Sequence, residues 1–272
     1  MSVIREPTSA DRWTARRVRE TKGTSRLVCV TAYDACFGRL ADEAGLPIIL
    51  VGDSVGMTLL GYESTLPVTM DQMVHHTSAV VRGVRQALVV ADMPFLSYQI
   101  SDDLAVANAG RLLQEAGAAA VKLEGGAERA DLIRRLTRTG IPVMGHIGLM
   151  PQQIRVLGGY RTQGREASSA SKILDDARAL DQAGVFAIVL EGIPAEVAGE
   201  ITRAVKAPTI GIGAGPYCDG QVLVLHDLLG LTGKPPRFAK VYTDLRRNVL
   251  DALSAFKADV EGGRFPVSKQ AS

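Results

Sequence analysis

Eight short apolar runs, each followed by a polar turn and an amphipathic stretch, constrain the fold of this chain more than any other feature. The clearest run is Ile48–Val51, which is apolar at every position, as is typical of a parallel strand buried on both faces. It stops at Gly52, and Asp53 and Ser54 follow at once. The eight predicted strands are Arg26–Thr31, Ile48–Val51, Ala87–Ala91, Ala118–Leu123, Pro142–Gly145, Val185–Leu190, Pro208–Ile212 and Val222–Leu225.

This alternation of strands and helices predicts an α/β fold, a single (β/α)8 TIM barrel with an N-terminal helical extension and a C-terminal helix. A doubly wound open sheet is the alternative, but no GxGxxG motif opens the first helix, and the count of eight favours closure. The 272 residues also suit one barrel, which typically takes about 250. The predicted bounds are 1–25 for the extension, 26–265 for the catalytic barrel and 266–272 for a tail.

The extension has a helical signal of its own. Thr8, Ser9 and Asp11 are predicted to cap a short Arg-rich helix over Arg12–Arg19. Such a segment covers either the bottom of a barrel or a neighbouring subunit, and a frayed terminus is the alternative.

Composition excludes several classes of function. The net charge of +2 gives no reason to expect a nucleic-acid or anionic-membrane surface. The three cysteines lack the spacing of a disulfide framework or a zinc site, which fits a reducing compartment. There is no secretory signal and no apolar run near the roughly 18 residues that span a bilayer. The expected location is the cytoplasm.

Ionisable residues lie at the ends of most of the predicted strands. In a barrel the carboxyl ends of the strands face one bowl, so these side chains are expected to meet. Four carboxylates in one bowl repel one another unless a cation offsets them, and the economical cation is Mg²⁺, which takes few protein oxygens. Zn²⁺ would favour His or Cys instead. The residues are Asp53, Asp92, Lys122, Glu124, His146, Glu191 and His226.

This combination points to a reaction class. A metal with open positions can chelate a 2-oxo acid and polarise its carbonyl, which makes the adjacent C–H acidic enough for a carboxylate base. Lys122 could neutralise the substrate carboxylate or the developing enolate. The residues alone therefore predict metal-assisted enolisation of a small keto acid, without naming the substrate.

Each of these residues has a structural alternative. A single Asp after a strand is often a helix N-cap, although at Asp53 and Asp92 the next helix is predicted well downstream. Lys122 and Glu124 share a strand face and could form a structural ion pair. His146 could be a core histidine. The polar stretch 158–169 is interpreted as a lid.

The chain closely resembles ketopantoate hydroxymethyltransferases, in stretches that run in order from about residue 25 to 265. These are VTAYD at 30–34, LVGDSVGM at 50–57, ESTLPVT at 63–69, ADMPF at 91–95, VKLEGG at 121–126, GHIGLMPQ at 145–152, GGYRTQGR at 158–165, VLEGIP at 189–194, GIGAG at 211–215 and DGQVLVLHD at 219–227. The departures are small: Val55 stands where Leu is usual, and Gly192 and Ile193 stand where a bulkier pair is expected.

The resemblance implies a TIM-barrel enzyme of pantothenate biosynthesis. It would transfer a hydroxymethyl group from 5,10-methylenetetrahydrofolate to 3-methyl-2-oxobutanoate, giving 2-dehydropantoate. It further implies a Mg²⁺-dependent homodecamer to which the N-terminal segment contributes contacts. The implied roles are Mg²⁺ binding for Asp53, Asp92 and Glu124, keto-acid binding for Asp53, Ser54, Asp92, Lys122 and His146, and proton removal for Glu191.

Two alternatives to this function come from other classes. A phosphoenolpyruvate mutase or isocitrate lyase type of enzyme is also a Mg²⁺-dependent barrel, but it generally presents a cysteine-bearing loop, and none of the three cysteines here lies in a comparable motif. A non-catalytic barrel is expected to lack some of the carboxylates at the strand ends, and here all of them are present.

Overall fold

The computed structural model of the chain describes residues 12–266. The predicted capping residues Thr8, Ser9 and Asp11 lie outside the described residues, as does most of the predicted tail 266–272. The chain divides into two compact units, one ending at Leu223 and one beginning at Val224. The domain bounds expected from the sequence stay a prediction.

The first unit contains a closed barrel of eight parallel strands, which confirms the predicted fold. Each strand pairs with the next along the chain, and the first pairs with the eighth to close the sheet. The strands are β1 Leu27–Thr31, β2 Ile48–Val51, β3 Leu88–Asp92, β4 Ala120–Glu124, β5 Val143–Gly148, β6 Ala187–Glu191, β7 Thr209–Ile212 and β8 Gly220–Leu223.

Five of the eleven helices described below begin after a residue whose side chain accepts a hydrogen bond from the first turn. For example, Thr69 accepts a hydrogen bond from the N–H of Gln72, whose side chain accepts in return from the N–H of Thr69, a complete capping box. The helices are α1 Ala15–Glu20, α2 Ala35–Glu43, α3 Val55–Thr58, α4 Met70–Gly83, α5 Asp102–Gln114, α6 Ala130–Arg138, α7 Ile154–Leu157, α8 Ala167–Ala183, α9 Ala195–Ala204, α10 Leu225–Leu228 and α11 Leu245–Glu261.

Three local predictions from the sequence are wrong. The helix after Asp53 is not well downstream as predicted, because α3 begins at Val55. The polar stretch 158–169 is not a loop over its whole length, because α8 begins at Ala167 and leaves residues 158–166 before the helix. The first helix begins at Ala15, where the Thr14 hydroxyl accepts from the N–H of Arg17, so its cap is not one of the predicted residues.

The described part of the extension, residues 12–25, closes the amino end of the barrel. Val18 of α1 is fully buried and belongs to the same apolar cluster as Leu27 and Phe186, which lie at the start of their strands. The N–H of Trp13 donates to the carbonyl of Gln86 at 2.7 Å, just before β3. Of the two roles expected for this segment, the structure therefore confirms the covering of the barrel.

The barrel interior is apolar through its lower layers. Because successive residues of a strand alternate in direction, the inward side chains lie two apart. On β3 the inward side chains are Leu88 and Val90, and Asp92 is the next residue that points inward. The apolar filling is packed as one cluster, and it leaves the carboxyl end of the barrel to the ionisable residues.

The second unit consists of α10, α11 and the segment between them. Within it, the N–H of Leu231 donates to the carbonyl of His226, and Thr232 donates to Asp227 at 2.5 Å. None of the side chains of α11 is buried.

Among residues 12–266, no helix is both long enough and apolar enough to cross a membrane.

Candidate active site

The strand register brings the predicted site residues together. Asp92 on β3 is the lateral neighbour of Lys122 on β4, and Glu124 is the neighbour of His146 on β5. One strand further, Glu191 on β6 lies beside Gly148 of β5. Because these residues lie at the carboxyl ends of adjacent parallel strands or within two residues of them, their side chains reach the same end of the barrel.

Asp53 joins the group through its backbone. It follows β2 directly, and its N–H donates to Asp92 Oδ2 at 3.0 Å. A Cβ on Gly52 would lie 2.6 Å from Ser54 Oγ and 3.5 Å from Asp92 Oδ2, so only glycine allows the chain to turn this closely beside the aspartates. Neither Asp53 nor Asp92 caps a helix, and the N-cap alternative for these two residues is wrong.

Lys122 is the ammonium of the site. Its Nζ lies 3.0 Å from Asp92 Oδ1 and forms a buried ion pair with it, without the alignment of a hydrogen bond. The same Nζ donates a hydrogen bond to His146 Nδ1 at 3.2 Å. Burial alone would lower the pKa of Lys122, but the surrounding carboxylates outweigh it and raise the pKa above its ordinary value. Lys122 therefore stays charged.

His146 connects the lysine to Glu191. Because Lys122 donates to Nδ1, the proton of the neutral ring is on Nε2. Nε2 lies 3.2 Å from Glu191 Oε2, without the alignment of a hydrogen bond. Burial, and then the charge of Lys122, lower the pKa of His146. The ring is therefore a neutral group that presents an N–H towards the Glu191 carboxylate. His146 Nδ1 also lies 3.6 Å from Glu124 Oε1.

The remaining predicted residue, Ser54, lies at the edge of this group. Its hydroxyl and the Tyr33 hydroxyl are 2.8 Å apart and form a hydrogen bond. Ser54 does not cap α3 with its side chain, although it precedes that helix. Its oxygen is thus held beside Asp53 by a buried phenol rather than by the helix.

The site holds more negative charge than its single ammonium offsets. Burial, and then the charge of Asp92, raise the pKa of Asp53 to about 7. Burial also raises the pKa of Glu124 well above its ordinary value, despite the nearby Lys122. Four carboxylates with one lysine and a neutral imidazole therefore form an environment that attracts a cation.

The donor set fits a hard divalent ion held by few protein ligands. Asp92 Oδ1 is buried and receives no aligned hydrogen bond, and carboxylate oxygens are the ligands that Mg²⁺ prefers. Within residues 12–266, no group of three or more His, Cys, Asp or Glu side chains is arranged to hold a metal ion. A site built on two aspartates agrees with both observations, because Mg²⁺ commonly takes only one or two carboxylates.

Comparison with known proteins shows which family the sequence matches. The sequence model described as ketopantoate hydroxymethyltransferase matches residues 12–268. The chain is 56% identical over 256 residues to the 3-methyl-2-oxobutanoate hydroxymethyltransferase of Staphylothermus marinus, covering 94% of each chain. It is 53% identical to the protein of that name in Syntrophomonas wolfei, covering 91% of this chain and 90% of the relative.

The chain belongs to the ketopantoate hydroxymethyltransferase family. The predicted resemblance is thereby confirmed, and the protein is an enzyme, a transferase.

Solved structures of another family share the fold of this chain. Phosphoenolpyruvate phosphomutase from Streptomyces platensis subsp. rosaceus superposes with a TM-score of 0.62 at 16% identity, over 92% of this chain and 88% of the other. At this identity the likeness concerns the barrel alone. The mutase or lyase alternative therefore fails on sequence, since the match to the ketopantoate hydroxymethyltransferase family extends over nearly the whole chain.

Sequence reasoning missed three residues of this family member's site. Gln152 and Tyr98 are buried: Gln152 donates to the Asp53 carboxylate, and Tyr98 is hydrogen-bonded to the backbone of Glu124 and to Gln152. The charges of Glu191, Asp53 and Glu124 act on Tyr160 and contribute to raising its pKa. None of the three ends a strand, so the rule that found the acids could not find them. The signal available for Gln152 was its place at the end of the GHIGLMPQ stretch.

The polar loop of the family member contacts the site at two points. Tyr160 donates to Met57 Sδ at 3.4 Å, and the charges of Glu191, Asp53 and Glu124 add to burial in raising its pKa. The N–H of Gln163 donates to the carbonyl of Gly192, the residue after Glu191, at 2.8 Å. Gly192 has a φ of +56°, which explains glycine where a bulkier residue was expected.

Proposed function

We propose that this enzyme transfers a hydroxymethyl group to 3-methyl-2-oxobutanoate in pantothenate biosynthesis. The donor is 5,10-methylenetetrahydrofolate, and with one water the products are 2-dehydropantoate and tetrahydrofolate. The names of the relatives support the acceptor, and the resemblance stated above supplies the donor.

The observation that carries this proposal is the difference in exposure among the four carboxylates. The side chain of Glu191 is 17% exposed, compared with 3% for Asp92 and 2% for Glu124. A base must reach a substrate that enters from solvent, and Glu191 is the accessible carboxylate of the group. Nε2 of its neighbour His146 lies 3.2 Å from the Glu191 carboxylate.

Asp53 and Asp92 are the residues that would hold Mg²⁺, with Glu124 close by. When bound, the ion supplies charge that polarises the substrate carbonyl. The aspartates are fixed for this task, because the N–H of Asp53 and the ammonium of Lys122 both contact the Asp92 carboxylate. That preorganisation removes the cost of gathering the carboxylates when the substrate arrives.

Lys122, Ser54 and His146 bind the keto acid together with the two aspartates. The permanent charge of Lys122 suits the substrate carboxylate, and the Ser54 hydroxyl can donate to a substrate oxygen. These groups hold the C3–H of the acceptor towards Glu191. Glu191 removes that proton. Water hydrolyses the methylene bridge of the folate, which breaks both of its C–N bonds and gives tetrahydrofolate and a formaldehyde unit. The electron pair left on C3 forms the new bond to the carbon of that unit, the C=O π pair moves to its oxygen, and the protonated Glu191 returns the proton to give the hydroxyl group.

The loop that carries Tyr160 shields this step from water. Its contacts hold it against Met57 of α3 and against Gly192, the residue after Glu191, as expected of a lid during the formation of a reactive carbanion.

Exchange of the C3 proton tests the chemistry without the folate. The purified enzyme with Mg²⁺ and 3-methyl-2-oxobutanoate in D₂O should incorporate deuterium at C3, which NMR measures directly. Glu191→Gln should lower the exchange rate by at least about 100-fold, because it removes the base, while keto-acid binding stays within a few-fold. Glu196→Gln, on the exposed start of α9, is the matched control and should exchange like the wild type.

Normal exchange by Glu191→Gln would show that the base is another residue. Absence of both exchange and folate-dependent product in the wild type would favour a non-catalytic barrel instead.

We further propose that the enzyme is a cytoplasmic homodecamer. The support is the family resemblance alone. Sedimentation of the purified protein gives its mass directly, and a mass of ten chains is the expected result.

A further inference from the structure

Gln152 lies at the centre of the site, although it belongs to none of the strands. It is in the single turn of 3₁₀ helix Pro151–Gln153 that follows β5, and its side chain is 4% exposed. A buried amide with two donor hydrogens and two acceptor lone pairs is costly unless it is fully paired.

The Gln152 amide is fully paired. Its Nε2 donates to Asp53 Oδ2 and to the carbonyl of Met93, both at 2.9 Å. Its Oε1 accepts from the Tyr98 hydroxyl at 2.7 Å and from Gln99 Nε2 at 3.2 Å. Both donors and both acceptor positions of the amide are therefore used.

The backbone of the same residue reaches a second carboxylate. The N–H of Gln152 donates to Glu124 Oε2 at 3.1 Å. One residue thus contacts Asp53, after β2, and Glu124, at the end of β4. These two carboxylates come from different strands, and burial raises the pKa of both.

Tyr98 fixes the orientation of this amide. The N–H of Glu124 donates to the Tyr98 hydroxyl at 3.1 Å, and the hydroxyl hydrogen goes to Gln152 Oε1, its closest acceptor. A flipped amide would place Oε1 against the Met93 carbonyl and the Asp53 carboxylate, and two acceptors facing two acceptors repel each other. The donor end of the amide must therefore point at Asp53.

We propose that Gln152 is a positioning residue of this active site, which holds the Asp53 and Glu124 carboxylates in the arrangement that receives the cation and the keto acid. This inference rests on the proposed function for the identity of those ligands. No contact with the substrate is assigned to Gln152, because its amide is fully paired with protein groups.

Substitution by methionine tests the inference, because it keeps the length and volume of the side chain and removes its polar atoms. For Gln152→Met we expect Mg²⁺ binding, measured by calorimetry on the folded protein without substrate, to weaken by about 10–100-fold. The KM for the keto acid in the exchange reaction should rise by a similar factor, with a smaller change in kcat. Tyr98→Phe should move both quantities in the same direction by less.

Gln153→Met is the matched control. Gln153 is the adjacent residue of the same turn. Its side chain donates to Met150 Sδ at 3.6 Å and, among residues 12–266, to no carboxylate of the site, so Mg²⁺ binding and KM should match the wild type. Thermal unfolding of every variant separates positioning from folding, because a merely structural role lowers Tm and leaves the affinity of the folded molecules unchanged.

The inference is overturned if folded Gln152→Met binds Mg²⁺ and the keto acid within twofold of the wild type, or if only its Tm changes. Should Gln152→Met not fold, Tyr98→Phe decides, and an unchanged affinity and KM would be the contradicting result. A wild type that neither binds Mg²⁺ nor exchanges the C3 proton would instead refute the proposed function.

Discussion

The two ends of the barrel interior are built from the same strands, but one is filled with apolar side chains and the other with ionisable ones. On β3, Leu88 and Val90 face inward in the lower layers, and Asp92 occupies the next inward position. On β4, Ala120 belongs to the apolar cluster, and Lys122 lies two residues further on. The direction of the side chains is the same throughout, while their chemistry changes from hydrocarbon to charge.

This difference separates stability from function within one core. Burial of hydrocarbon in the lower layers stabilises the barrel in proportion to the area removed from water. At the carboxyl end, burial instead raises the pKa of Asp53 and Glu124, which means that folding works against their charged forms. A protein retains such an arrangement where it is needed for binding and chemistry.

The largest effect expected from the charged layer follows the removal of its ammonium. Lys122→Met leaves the buried Asp92 without its partner, and breaking a buried pair on one side typically costs about 3–5 kcal/mol. We expect the free energy of unfolding at pH 7.5 to fall by that amount in denaturant titrations. The second change in Lys122→Met/Asp92→Asn should recover part of the loss, because the unpaired charge is gone.

Lys172→Met is the matched control for Lys122→Met, because it removes a lysine charge from an exposed ion pair instead of a buried one. The Lys172 side chain is 71% exposed and lies 2.7 Å from Asp176, so solvent screens the pair and less than about 1 kcal/mol should be lost. Equal losses for the two variants would mean that the upper layer is not electrostatically distinct from the surface.

Much of this contrast could be predicted from the sequence, because it depends on strand periodicity. Short apolar runs followed by Asp, Glu or His identify both the barrel and the residues at its carboxyl end. All of the predicted strand-end acids, with Lys122 and His146, lie in the first unit and meet there. His226 was grouped with them, but it lies in α10 of the second unit.

The hydrogen bonds between those residues could not be predicted in the same way. Gln152 reaches Asp53 across 99 positions of sequence, and no local pattern encodes which amide will meet which carboxylate. Nor does periodicity distinguish the neutral tautomer of His146, since it depends on a lysine donating to Nδ1. Such contacts follow from tertiary packing and need the assembled barrel.

The pH dependence of stability sharpens the contrast further. The pKa of Asp53 is about 7 in the folded protein and about 4 in an unfolded chain, so between these values the folded state holds a proton that the unfolded state has lost. The free energy of unfolding should therefore fall as the pH rises from about 4 to 7, by at most about 1.4 kcal/mol per pH unit from this group. The raised pKa of Glu124 also makes the free energy of unfolding fall with rising pH. The lowered pKa of His146 has the opposite effect, because the unfolded state then holds a proton that the folded state has lost.

Asp53→Asn isolates the contribution of Asp53. Denaturant titrations of wild type and variant in EDTA, between pH 5 and 7, should give a less negative slope for the variant, because its amide does not titrate. Identical slopes would mean that the carboxylate titrates in the folded protein as it does in water.

The smallest expected effect belongs to the apolar layer. Ile48 is fully buried in the lower cluster, and Ile48→Val removes one methylene group, which should cost about 0.5–1.5 kcal/mol in the free energy of unfolding. Since the position carries no polar group and belongs to the hydrocarbon filling, deuterium exchange at C3 per folded molecule should match the wild type. An exchange rate reduced more than threefold would contradict the division of the barrel into a stabilising layer and a chemical one, because it would mean that packing below the site sets the positions of the carboxylates above it.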